Sequence, residues 1–166
     1  MPDKILYFAY GSNMSSKRLQ ARVPSAEPLG RYTLRGHDLR FHKEGADGSS
    51  KCDAYKTSAD DVIHGVLFSI DPAEERDLDA AEGFGHGYDK KEVQVWSGEK
   101  SKTAFTYVAI KVRDSLKPYS WYVNHVLVGA REFDLPEDYI QQKILRVAAK
   151  EDDNHERDAR ERAIHE

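Results

Sequence analysis

Apolar residues fall in short, strand-length runs over the first two thirds of the chain and at helical spacing over the last third. The first run, Ile5-Leu6-Tyr7-Phe8 with Tyr10, is made of residue types that suit a buried pleated surface. Gly11-Ser12-Asn13 ends it, because Gly and Asn tolerate turn dihedrals and Ser bonds local backbone. Ser15-Ser16-Lys17-Arg18-Leu19 then reads as a helix start with a serine cap, and Val23-Pro24-Ser25 as a break. Residues 28–43 carry Leu29, Tyr32, Leu34, Leu39 and Phe41 around Gly36, which predicts two strands or one bent strand. Residues 44–51 form a polar stretch read as a flexible loop that covers a site or merely connects. A short strand over 52–57 follows.

Val62 to Ile70 is apolar on both faces and predicts a central strand. Asp71-Pro72-Ala73-Glu74 is a helix start, with a cap, a proline at the first helical position and a glutamate in the first turn. That helix carries Leu78 and Ala81 and stops at Glu82-Gly83. Phe84-Gly85-His86-Gly87 is a glycine-rich turn. Tyr88–Trp96 and Thr103–Val112 predict a hairpin closed by Ser97-Gly98-Glu99-Lys100. Leu116-Lys117-Pro118 breaks the chain, and Tyr119, Tyr122, Val123, Val126, Leu127 and Ala130 recur at helical spacing. Pro136 opens a further helix, with Ile140, Ile144, Val147 and Ala148 expected on one face. Residues 150–166 are dominated by charge and read as a solvated helix or tail. Strands first and helices last make the class α+β.

Composition narrows this picture little. A chain of 166 residues with 39% hydrophobic and 33% charged side chains fits one domain with a sizeable core. A formal net charge of −4 gives no nucleic-acid footprint, and no apolar run reaches the length of a membrane span. Met1-Pro2-Asp3-Lys4 leads into strand without a signal-peptide pattern, and the single cysteine, Cys52, excludes an internal disulfide. A reducing, cytoplasmic setting is therefore expected.

Candidate chemistry is sparse. The seven histidines show no ligand spacing with one another, with Cys52 or with a carboxylate, so no metal site is expected. Gly83, Gly85 and Gly87 follow a helix rather than a strand and lack the features of a phosphate loop. Cys52 has no nucleophile signature and reads as a packed or idle thiol. Two features are left. The strand–Gly–Ser–Asn corner presents successive backbone N–H groups to one point, which suits a small carboxylate, although an ordinary corner has the same sequence. Glu82 places a carboxylate at a helix C-terminus, against the helix dipole, where Lys or Arg is usual. A plain exposed glutamate is the competing reading.

Tyr7-Phe8-Ala9-Tyr10-Gly11-Ser12-Asn13-Met14 resembles the opening signature of the γ-glutamylcyclotransferases. Gly65-Val66-Leu67-Phe68 resembles the family's central strand, and Leu78-Asp79-Ala80-Ala81-Glu82-Gly83 the helix end that carries its catalytic glutamate. Gly87-Tyr88 enters a strand as in the family, and Tyr122 with Gly129-Ala130-Arg131-Glu132 and Leu135-Pro136 resembles the tyrosine and helix that close its pocket. The resemblance covers roughly residues 5–147 of an expected domain over 1–149. The charged segment 150–166 lies outside it.

The resemblance implies a small mixed β-barrel flanked by helices, a homodimer, and cyclisation of a γ-glutamyl group to 5-oxoproline without any cofactor. Glu82 is then the catalytic base and acid. The stretch Tyr7, Phe8, Ala9, Tyr10, Gly11, Ser12 and Asn13 binds substrate, together with Tyr122 and, more weakly, Tyr88 and Tyr107. The partner is a small γ-glutamyl compound, with neither nucleic acid nor membrane involved. Its leaving group stays open between an amino acid, an amine and a larger conjugate. A binding module on the same fold, without turnover, is the alternative.

Overall fold

The computed structural model describes residues 3–166; Met1 and Pro2, the first half of the expected lead into the strand, lie outside the described residues. Strand β1 (Ile5–Ala9) leads through a single 3-10 turn (Ser12–Met14) into helix α1 (Ser16–Arg22). Ser15 caps α1 as expected, its Oγ accepting from the Arg18 N–H at 3.3 Å. Two strands follow rather than one bent strand, β2 (Glu27–Arg35) and β3 (His37–Glu44), because Gly36 turns the chain between them at a φ of 75°. Next come β4 (Ser50–Lys56) and β5 (Val62–Ile70).

Asp71 caps the next turn through the Ala73 N–H at 3.0 Å, and helix α2 (Glu75–Glu82) ends where Gly83 takes left-handed dihedrals. Strands β6 (Tyr88–Ser97) and β7 (Lys100–Ala109) form the hairpin. β7 begins earlier and stops earlier than expected, and Ile110 and Val112 lie exposed beyond it. Helix α3 (Ser120–Glu132), a short helix α4 (Glu137–Tyr139) and helix α5 (His155–Ala163) complete the chain.

Five strands close into a barrel in the order β1-β5-β2-β6-β7. β5 pairs with β1 on one edge and β2 on the other, and its residues from Gly65 to Ile70 are buried on both faces. Parallel pairing of Tyr7 with Phe105 seals the barrel. β3 and β4 form a separate two-stranded sheet over its mouth. Bonds from Glu44 N to Lys111 O (2.9 Å), Arg113 N to His42 O (2.7 Å) and Ala109 N to the Asp53 carboxylate (2.8 Å) fasten that sheet to the barrel.

Three expectations change. The stretch 44–51 is not an open loop: Ser49 and Ser50 are fully buried, and Asp47 accepts from Ser49 N and Lys51 Nζ, each at 3.0 Å. The helix after Pro136 widens into a π-helical turn over Ile140–Leu145 and stops. Ile140 and Ile144 are buried, but Val147 and Ala148 lie beyond the helix and Ala148 is exposed, because the chain turns back to pair Lys150 with Pro118. The charged segment also docks: buried Asp152 accepts from Trp121 Nε1 at 2.9 Å and pairs with Arg157. No helix among the described residues is long and apolar enough to cross a membrane.

Candidate active site

At the end of β1 the chain bends against α3 with almost no clearance. A Cβ on Gly129 would lie 2.5 Å from Ser15 N and 2.6 Å from Met14, so only glycine lets α3 pack on the turn. This contact holds the Gly11-Ser12-Asn13 backbone in place. Among the described residues, the N–H groups of Gly11, Ser12 and Asn13 donate to no acceptor of the chain, whereas Met14 and Ser15 bond back to Gly11 and Ser12. Free donors at the start of a turn are partners for an anion or a developing oxyanion.

Gly11, Ser12 and Asn13 line a small cavity together with Tyr7, Tyr10, Cys52, Glu82, Tyr88, Tyr107 and Tyr122. Glu82, at the last position of α2, is held by two partners. The Asn13 amide donates to its Oε1, and Arg22 approaches the same oxygen at 3.8 Å. Asn13 Nδ2 also donates to the Tyr7 hydroxyl at 3.0 Å, and Asn13 Oδ1 faces Arg22 at 3.4 Å. The side chain of Glu82 keeps 15% of its surface exposed, so it stays open toward the cavity.

The tyrosines form the walls. Tyr10 O–H donates to the Tyr107 carbonyl at 2.5 Å, and Tyr107 O–H donates to Asp79 at 2.5 Å. Tyr88 O–H donates to the Cys52 carbonyl, and Tyr122 Oη accepts from the Cys52 N–H at 3.0 Å. Burial raises the proton affinity of Tyr7, Tyr10, Tyr88, Tyr107 and Tyr122, with Asp79 adding to the effect at Tyr107. All five remain neutral hydroxyls near neutral pH. Burial also pushes the Cys52 thiol up to about 12, so it lies in the wall as a thiol, not a thiolate.

Of the residues expected at the site, Phe8 and Ala9 are absent from its lining, though both are fully buried. Successive strand residues point to opposite faces, which turns Phe8 away from Tyr7, and Ala9 has no reach. All the other expected residues converge. Cys52, expected as a packed or idle thiol, is packed in the cavity wall, and an outer chamber that adjoins the cavity was not expected from the sequence. Arg18, Arg22, Lys43, Lys51 and Ala81 line that chamber with Ser12, Glu82, Tyr88 and Tyr122. Its basic residues come from α1 and from the β3–β4 sheet, and no local motif marks them.

The AIG2-like family model matches residues 62–142, from β5 through α4. A human relative named gamma-glutamylcyclotransferase is 31% identical over 151 residues, 87% of this chain and 79% of that protein. The Bos taurus protein of the same name is 29% identical over 86% of this chain and 78% of its own length. A solved structure named gamma-glutamyl cyclotransferase superposes with a TM-score of 0.82 at 26% identity, covering 92% of each chain. Fold, identity and matched length agree, and the chain belongs to the γ-glutamylcyclotransferase family.

Proposed function

We infer that the protein is an active γ-glutamylcyclotransferase with Glu82 as its only proton shuttle. The carrying observation is the placement of Glu82, held by Asn13 at a turn whose residues line the same cavity and leave their N–H groups unpaired among the described residues. The α-amine of the γ-glutamyl group attacks its own γ-carbonyl carbon, and a C–N bond forms as the ring closes. The bond from that carbon to the leaving nitrogen then breaks. Glu82 takes the proton lost by the attacking amine and returns it to the leaving amine, so no water enters the balance. The products are 5-oxoproline and a free amine. Ring closure within one molecule draws most of its acceleration from orientation, which the tyrosine walls supply. The N–H groups of Gly11, Ser12 and Asn13 bind the substrate α-carboxylate or the oxyanion.

The test is incubation with γ-glutamyl compounds, separating 5-oxoproline from glutamate by chromatography. The expected product is 5-oxoproline, and an N-acetylated substrate should be inert because its nitrogen lone pair is tied up in amide resonance. Glutamate as the first product, or turnover of the acetylated compound, would overturn the mechanism.

A further inference from the structure

The helix that carries Glu82 is lightly seated: among the described residues, Leu78 is the only buried residue of α2. The next residue, Asp79, makes a polar anchor beside it. Its Oδ1 accepts from the Tyr107 hydroxyl at 2.5 Å and lies 2.9 Å from Lys90 Nζ, and its Oδ2 lies 3.0 Å from the same ammonium. Tyr107 and Lys90 are directly opposed partners on β7 and β6, so Asp79 joins α2 to the hairpin at one point. Asp79 also stands three positions before Glu82, on the same side of the helix. Burial first, then the bond to Asp79, raises the proton affinity of Tyr107; the Glu82 charge adds to it, so that hydroxyl lies within the field of Glu82.

An ionised carboxylate only accepts, so the Tyr107 proton is committed to Asp79, and the phenol oxygen has lone pairs alone to offer an occupant of the cavity that Tyr107 lines. Tyr10 and Tyr88 commit their protons to backbone carbonyls, whereas Tyr107 commits its own to a side chain. An attacking amine must keep its lone pair free while its N–H bonds find acceptors. A hydroxyl that donates to the amine occupies that lone pair; one that accepts leaves it free. We propose that Asp79 is a positioning residue of the cyclisation: by holding the Tyr107 proton, it keeps Tyr107 an acceptor toward the attacking α-amine. Asp79 itself touches no substrate and carries no proton between reacting atoms. This assignment rests on the cyclotransferase reading above.

The experiment measures 5-oxoproline release from a γ-glutamyl amino acid by the wild type, Asp79→Ala, Tyr107→Phe, the double variant and Lys90→Met. Asp79→Ala should lower kcat about tenfold, the worth of one misdirected hydrogen bond, with KM changed less. The double variant should match Tyr107→Phe, because without the hydroxyl Asp79 has nothing to orient. Lys90→Met breaks the ion pair to the hairpin but leaves the Tyr107 bond, and its kcat should stay within about twofold of the wild type. Asp79→Leu, also a good helix former without an acceptor, repeats the test if Asp79→Ala does not fold. An unchanged kcat in Asp79→Ala, effects that multiply in the double variant, or a Lys90→Met as slow as Asp79→Ala would each overturn the proposal. Failure of the cyclotransferase reading looks different: the wild type itself would release no 5-oxoproline, and the proposal would fall with it.

Discussion

Asn13 and Glu82, 69 positions apart, meet through one hydrogen bond from the Asn13 amide to the Glu82 carboxylate. The same amide nitrogen donates to Tyr7, so one side chain sets the relation between Glu82, a wall tyrosine and the N–H groups of its own turn. Replacing Asn13 with Ala frees Glu82 to swing toward Arg22. The expected result is a fall in kcat of about tenfold, equivalent to ~1.4 kcal/mol, with KM changed less. Steady-state kinetics on the purified variant check it, and an unchanged kcat would mean that Glu82 is positioned by other groups.

Glu82→Gln keeps the shape and can still accept from Asn13, but it cannot carry a proton at neutral pH. Turnover should drop at least about a hundredfold while substrate still binds. Calorimetric titration of substrate into the variant, beside its kcat, separates the two effects. Near wild-type turnover would remove Glu82 from the mechanism.

The Cys52 thiol is fully buried and held up to about 12, so at pH 8 it carries almost no thiolate. Iodoacetamide should leave the native protein active and unlabelled, and should label it once in denaturant, as mass spectrometry will record. Rapid labelling of the folded protein, with loss of activity, would show an accessible and reactive thiol in the wall.

The C-terminal segment makes a pH prediction. Arg18 has only donors to offer, so its NH1, 3.2 Å from His125 Nε2, donates to that nitrogen. His125 Nδ1–H then donates to His165 Nε2 at 2.6 Å. Burial, with Arg18 adding to it and Glu161 opposing, lowers the fully buried His125 from 6.5 to about 4. The unfolded chain therefore takes up this proton first. The contribution of His125 to stability is complete above pH 6.5 and falls as the pH drops from there to about 4, by ~3 kcal/mol at most, beside losses of the same sign from His37, His64 and His165, which burial also lowers. Urea titrations between pH 7 and 4 check this. His125→Asn should flatten the slope between pH 6.5 and 4.5, and a variant that keeps the full slope would place the titration elsewhere.

Local chemistry made much of this protein legible from its residues alone. Strand β1, the turn after it, the Ser15 and Asp71 caps and the stop at Gly83 each depend on neighbours a few positions away, and each appears where expected. The two-sided apolar pattern of β5 likewise announced a strand buried between two others. Glu82 stood out because a carboxylate at a helix end breaks a local rule.

Only the folded chain decided what meets Glu82. Barrel closure brings β1 beside β7, α3 packs on the turn at Met14 and Ser15, and Asn13 reaches the end of α2 at Glu82. Strand alternation removed Phe8 from a run of residues that read as a unit. Cys52, Lys43 and Lys51 reach the pocket and its outer chamber because Asp53, Glu44 and Arg113 fasten the β3–β4 sheet over the barrel mouth. The charged tail docks because Asp152 finds Trp121 and Glu161 finds Arg18. Each of these depends on which distant surfaces come to bury one another, and hydrophobic period and turn chemistry carry no record of that over tens of residues.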